Sequence, residues 1–217
     1  MRHTGKRVLI QVLALLAITC VACTAAKTPF AANSLTDKVL VNENFTKFDQ
    51  KLGSGWRTVM LQMKYSEAAD FIEQYQLLHS KTLLKWQKAS LAYHLGVVYS
   101  LANERQKAIY WFHQALASKL LGNPAYINAH IAFEAGNKEA LLQARDKIAA
   151  LAQSEMRSED LGEIDAMIKY FEQPFEAAFG ALNCLEKTPP HSPGWRNFCK
   201  VIHSKYDALY QRQINGS

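Results

Sequence analysis

Cysteine is scarce in this chain: Cys20, Cys23, Cys184 and Cys199 are all it has in 217 residues. That excludes the disulfide-dense scaffolds of small secreted domains. Ten glycines and six prolines exclude collagen-like and Gly/Pro low-complexity classes. A Gly-rich phosphate loop is absent, and Gly53-Ser54-Gly55 is not the Gly-x-Ser-x-Gly of a hydrolase elbow. His79, His94, His113 and His130 never fall at the i, i+4 spacing of a helical metal pair. Glu67, Asp70 and Glu73, and the acids from Glu155 to Asp165, lie on solvent-facing turns, whereas acid–base work needs a cleft that desolvates one carboxylate. The expectation is therefore a binding protein with no catalysis, no cofactor and no metal site.

Acidic residues are also missing from the start of the chain. Residues 1–22 hold Arg2, Lys6 and Arg7 and no Asp or Glu, and an apolar run from Val8 to Ala22 follows the basic cap. Small residues Cys23, Thr24, Ala25 and Ala26 come next, which is the order of an export signal. A core helix would not need the basic cap. Val21-Ala22-Cys23 resembles the end of a bacterial lipobox, with Cys20 where Leu is usual. Processing there would leave a lipid on Cys23. Cleavage after Ala25 or Ala26 would leave a soluble protein, and an uncleaved run would be an anchor. The expected location is the periplasm or the outer membrane, as an attached lipoprotein. Loss of this leader takes the formal charge from +6 to about +3, an ordinary surface that no longer argues for nucleic acid.

What is present is helix. Hydrophobic residues are 49% and charged residues 20% of the chain, as in globular domains. From Asn42 to Gln213 apolar residues recur at three and four, as in Trp86, Ala89, Tyr93, Val97 and Leu101, with almost no strand-like alternation. Breaks fall at 53–55, 79–82, 102–104, 122–124, 136–138 and 153–160. Asn103, Asn123 and Ser158 are placed as helix N-caps, with Pro124 in the first turn after Asn123. Residues 158–182 predict an amphipathic helix kinked at Pro174, and residues 194–213 a last helix.

Residues 89–122 are more specific. Ala92, Leu95, Gly96, Tyr99, Ala108, Phe112 and Ala115 fall on a spacing that resembles a tetratricopeptide repeat. Small Gly96 and Ala108 allow two antiparallel helices to cross closely, and Leu95, Tyr99 and Phe112 fill the seam. Leu120 stands where the family ends on Pro. Tyr126, Ala129, Phe133, Gly136, Ala140 and Ala144 look like a further unit whose turn is short, Phe133 to Ala140 spanning less than Tyr99 to Ala108. Upstream, Tyr65 to Ile72 resembles a second repeat helix after a short one holding Trp56, Val59 and Leu61. The expected fold is all-α: an antiparallel helix-pair solenoid of about three repeats with a C-terminal helical hairpin. Its divisions are 1–23 signal, 24–50 linker and N-terminal helix, 51–153 repeats and 154–217 cap.

The resemblance implies an interaction scaffold in which first helices line a concave groove. The positions it assigns are Ser90, Tyr93, His94, Val97, Ser100 and Leu101 on one unit, and Ile127, Asn128, Ile131 and Glu134 on the next. The paired Lys and Asn clamp of chaperone-binding members is missing, since Tyr93 and Val97 occupy those places. An apolar, aromatic-edged groove suits a hydrophobic peptide or amphipathic helix, unless the chain's own C-terminal helices cover it. The expected partner is a protein or peptide of the bacterial cell envelope.

Cys184 and Cys199 flank a Pro-rich stretch. In an oxidising compartment they read as a disulfide. A metal site of Cys184, His191, Cys199 and His203 is the alternative, with spacings unlike usual zinc pairs. A rival function is an enzyme or small-ligand site around His191, Trp195, Arg196 and His203.

Overall fold

A computed structural model describes residues 41–151, 155–186 and 192–215, and within the helices from 155 and to 215 the side chains only of 160–185 and up to Arg212. The export signal, the lipidation position Cys23, most of the linker, and His191 lie outside the described residues. The described residues are all-helical and contain no strand. A short π-helical turn, α1 (Thr46–Gln50), leads to α2 (Arg57–Met60), α3 (Tyr65–Leu78), α4 (Lys85–Leu101), α5 (Arg105–Ala117), α6 (Pro124–Glu134) and α7 (Lys138–Ala150). Then follow α8 (Glu155–Lys169), α9 (Phe175–Gly180), which runs on as a π-helical stretch (Ala181–Glu186), and α10 (Pro193–Asn215).

Each helix from α3 to α8 packs against the one before it in the chain. The apolar spacing explains why. On α3, Ala68, Phe71, Ile72 and Tyr75 form one buried stripe. The central helix α4 is buried on nearly every side, from Ala89 to Ala92 and from Leu95 to Leu101. At position 96 a Cβ would lie 2.5 Å from the Phe112 ring, so only glycine lets α4 and α5 approach this closely.

Three of the turns are built alike. Met63 (φ 61°), Asn103 (φ 57°) and Gly136 (φ 68°) each take the left-handed conformation. The following amide reaches back five residues: Lys64 N–H to the Val59 carbonyl (3.4 Å), Glu104 N–H to Tyr99 (2.8 Å) and Asn137 N–H to Ala132 (2.8 Å). These bonds close the last turn of one helix and set the entry of the next. The expectation that the α6–α7 turn is shorter than the α4–α5 turn is therefore corrected. Ala132, not Phe133, corresponds to Tyr99, and Leu141, not Ala140, corresponds to Ala108. Ala129, fully buried, then takes the place of Gly96.

Capping also departs in part from expectation. Asn123 accepts from the Ala125 amide at 3.0 Å, as its place before Pro124 predicts. Asn103 is the left-handed residue of a turn and caps nothing. Asn137 supplies a cap that the sequence did not single out, accepting from the Ala140 amide at 3.0 Å. Ser158 lies inside α8, which begins at Glu155. Pro174 does not kink one helix but separates two, since α8 ends at Lys169 and α9 starts at Phe175. Proline lacks the amide that would continue the ladder, and it disfavours helical backbone in the residue before it.

After α8 the chain folds back. Helix α8 touches α6, and α9 touches α4. Phe171 and Phe175 meet Phe133 edge-on at 5.9 and 5.8 Å. Helix α10 buries Trp195, Phe198, Ile202 and Tyr210, and Ile202 and Tyr210 pack directly on Gly180. Cys184 and Cys199 form a disulfide with Cα atoms 5.4 Å apart, as expected of this pair in an oxidising compartment. It ties the end of the π-helical stretch to the first turns of α10.

Candidate functional site

The side chains assigned to the groove are brought together on α4 and α6, but most are covered. Val97, Ser100, Leu101, Ile127 and Glu134 are buried, and Tyr93, His94 and Ile131 are half-buried. Asn128 alone among them is exposed. The cover is the chain's own C-terminal segment: Phe175 packs on His130 at 5.6 Å, and the Tyr126 hydroxyl donates to Glu163 of α8 at 2.5 Å.

Polar residues line this covered face. Asp49 of α1 is fully buried. It accepts from Ser90 Oγ at 2.8 Å, from Trp56 Nε1 at 3.2 Å and from Gln50 Nε2 at 2.5 Å. His94 Nδ1 lies 2.7 Å from Asp49 Oδ1, and His94 Nε2 lies 3.3 Å from Arg57 Nη2. Because a guanidinium can only donate, Nε2 accepts and Nδ1 carries the proton given to Asp49. Arg57 also donates to the Asp49 carbonyl and stacks over the Trp56 ring at 4.1 Å. Burial works against the charge on Asp49, but His94, Arg57 and Ser90 outweigh it and hold the carboxyl below its ordinary range. The Ser90 hydroxyl points its proton at Asp49 and both His94 nitrogens are engaged, so these residues do not form a Ser–His–Asp relay. They fasten α1 and α2 onto α4.

Beside this lies a second cluster. Tyr93 and Tyr126 share a hydroxyl contact at 3.0 Å. His130 Nε2 is 3.4 Å from the Tyr93 hydroxyl and 3.5 Å from Glu163. Burial pushes the His130 pKa down to about 3, so the ring is neutral at ordinary pH. Burial, with Glu163 close by, pushes the Tyr93 hydroxyl well up. Further along the same face, Ser100 and Glu134 are buried together, and burial raises the Glu134 carboxyl against the opposing pull of Ser100 and Arg105.

A third cluster joins the two ends of the described chain. Glu176 of α9 is buried. It accepts from the Tyr65 hydroxyl at 2.5 Å and the Tyr206 hydroxyl at 2.7 Å, and it pairs with Lys205. Sequence reasoning passed over Asp49 and Glu176. Asp49 sits about forty residues from Ser90 and His94, and nothing local signals such a pairing. The one clue was an acid in an otherwise apolar helical stretch, as in Phe175-Glu176-Ala177-Ala178-Phe179.

Among the described residues, grooves stay open at two places. One, of about 310 Å3, runs between α6 and α7 with Asn128, Ile131, Asn137, Gln143 and Lys147 along it. The other, of about 420 Å3, lies across α3, α4 and α5 and is lined by Lys85, Lys88, Trp111 and Leu120 among others. At the C-terminal hairpin, Trp195 packs on Phe179 and Phe198, Arg196 is exposed, and His203 Nε2 faces the Cys184 carbonyl at 3.4 Å. With Cys184 and Cys199 bonded to each other, the thiolates that the alternative metal site requires are absent. No cluster of three or more metal-ligating side chains occurs among the described residues.

No protein-family model, curated protein or solved structure matches the chain.

Proposed function

We propose that this chain is an exported, non-catalytic adaptor built on tetratricopeptide-like hairpins, which holds a protein or peptide partner in the bacterial cell envelope. The observation that carries the reading is the recurrence of one turn geometry after α2, α4 and α6, together with the glycine-to-phenylalanine crossing of α4 and α5. Recurring hairpins stacked on their neighbours are what a helical repeat requires. The Cys184–Cys199 disulfide supports an oxidising compartment.

The self-covered face narrows where a partner can sit. Asn128 and Ile131, the outermost of the expected groove positions, line the open channel between α6 and α7. Its floor of Ala132, Ala140 and Ala144 admits close approach, and its amide rim offers hydrogen bonds to an extended peptide backbone. The test is affinity purification from native envelope with wild type, Ile131→Asp and Ala140→Arg proteins. Loss of the same partner from both variants, with helicity by circular dichroism intact, is the expected result. Equal recovery by all three proteins would overturn the placement.

A further inference from the structure

We propose that the end of the helical array formed by the α3–α4 and α5–α6 connections is a docking edge for an anionic lipid surface. The first observation is charge. Between Gln74 and Phe133 the chain has one acid, Glu104, against Lys81, Lys85, Lys88, Arg105, Lys107 and Lys119. Glu104, Arg105 and Lys107 all sit at the α4–α5 turn, where Glu104 pairs with Lys107. Helix α4 has 17 residues and so spans about 25 Å at 1.5 Å per residue. Its far end therefore keeps Lys81, Lys85, Lys88 and Lys119, all exposed, with no acid contributed by α4, α5 or their connections. Glu43 of the preceding segment, close to this end, is paired with Lys47 at 2.7 Å.

The second observation is what stands between those lysines. Leu77, Leu78, Leu84 and Leu120 are 70%, 57%, 57% and 49% exposed, and Trp86 is 45% exposed. They belong to the end of α3, the start of α4 and the segment after α5. These three places meet in space, since Ser80, Lys85 and Leu120 line one groove. Leucines on projecting turns, a tryptophan at a helix start and lysines between them form the composition of a membrane interface. Leucine enters the acyl boundary, tryptophan rests at headgroup depth, and lysine stems reach phosphate. A protein-binding surface would be depleted in lysine at its core, and here lysines alternate with the exposed apolar side chains.

The third observation is where the chain enters. The Val41 carbonyl faces His79 Nε2 at 2.9 Å, and Phe45 meets Trp86 edge-on at 5.1 Å. Residues 41–45 therefore lie at this same edge. The edge does not depend on whether Cys23 carries lipid.

The experiment uses the full chain in vesicles with brominated acyl chains, either of phosphatidylcholine alone or mixed with phosphatidylglycerol. All four tryptophans, Trp56, Trp86, Trp111 and Trp195, lie in the described residues, so the N-terminal run contributes no signal. Bromolipid quenching is expected in the phosphatidylglycerol vesicles, lost in Trp86→Phe and suppressed at high salt, where the screening length falls to about 3 Å. Each of Lys81→Gln, Lys85→Gln and Lys88→Gln is expected to lower the docked population about fivefold. Quenching that is equal in the two vesicle types, or unchanged by Trp86→Phe, overturns the proposal. Absence of Trp86 quenching in a protein with intact helicity also overturns it.

Discussion

Gly96 faces the ring of Phe112 so closely that a Cβ at position 96 would lie 2.5 Å from it. Phe112 is fully buried and cannot swing away. Gly96→Val is expected to lower stability by about 3 kcal/mol, the upper range for overpacking a filled core. Helix propensity would recover only a few tenths of that. Urea denaturation measures the change, and a double variant with Phe112→Leu is expected to restore part of it. A Gly96→Val protein as stable as wild type would contradict the tight crossing.

Glu176→Ala removes the shared acceptor of Tyr65, Tyr206 and Lys205. Two hydroxyls lose their partner and a lysine loses its carboxylate. Lys205 is half exposed and is taken up by water, so the expected loss is about 2–4 kcal/mol, from the two hydroxyls left without an acceptor. Glu176→Gln keeps an acceptor oxygen and is expected to lose less. Hydrogen exchange should show α9 and α10 opening together in the alanine variant, while α5 keeps its protection.

Acid sensitivity should have two stages. His130 has its pKa lowered from 6.5 to about 3 in the folded chain, so the unfolded chain binds more protons between those values. Stability therefore falls as pH drops from about 6.5 towards 3, by an amount on the order of 4–5 kcal/mol at the lower end. Asp49, held below its ordinary value of 3.8, adds a loss of the same sign only below about pH 4. Urea midpoints against pH for wild type and His130→Gln separate the two. The variant is expected to lose the wild type's fall between pH 6.5 and 4.5, where the raised Glu134 carboxyl contributes a slope of the opposite sign.

Thiol labelling of the denatured, unreduced protein is expected to find no free thiol at Cys184 or Cys199. The bond closes a loop with a sequence separation of 15, which is worth about 3 kcal/mol. The Cys184→Ser, Cys199→Ser double variant should show a loss near that size in urea. Quantitative labelling of both positions in the wild type would remove the disulfide.

Much of this architecture could be read in one dimension. The three-and-four spacing of Leu95, Tyr99, Ala108 and Phe112 marks two helices and their seam, because a buried stripe on a helix has to repeat at that period. The cysteine pair was legible because Cys184 and Cys199 are the two cysteines left outside the export signal, in a chain expected in an oxidising compartment. The turn after α6 was misaligned because Phe133 and Ala140 are both of a kind the repeat accepts. Only the left-handed backbone at Gly136 and its hydrogen bond fix the register. The closing of the groove was open in sequence, since Phe171 and Phe175 suit any apolar partner. Their choice of Phe133 and His130 depends on the break at Pro174. Asp49 was invisible for a related reason: its partners Ser90 and His94 come from a different helix, and a lone acid in a short segment carries no local sign of them.

The disulfide lies wholly within the C-terminal cover. It joins the end of the α9 segment to α10 and reaches none of α2 to α7. The covalent link therefore fixes the shape of the cover but not its seat. What holds it down is noncovalent: the Glu176 cluster, the Tyr126–Glu163 hydrogen bond and the phenylalanine contacts on α6. Helices α9 and α10 are thus coupled as one piece resting on α4 and α6, so uncovering His130 would be a displacement of a preformed body and not the unravelling of a tail.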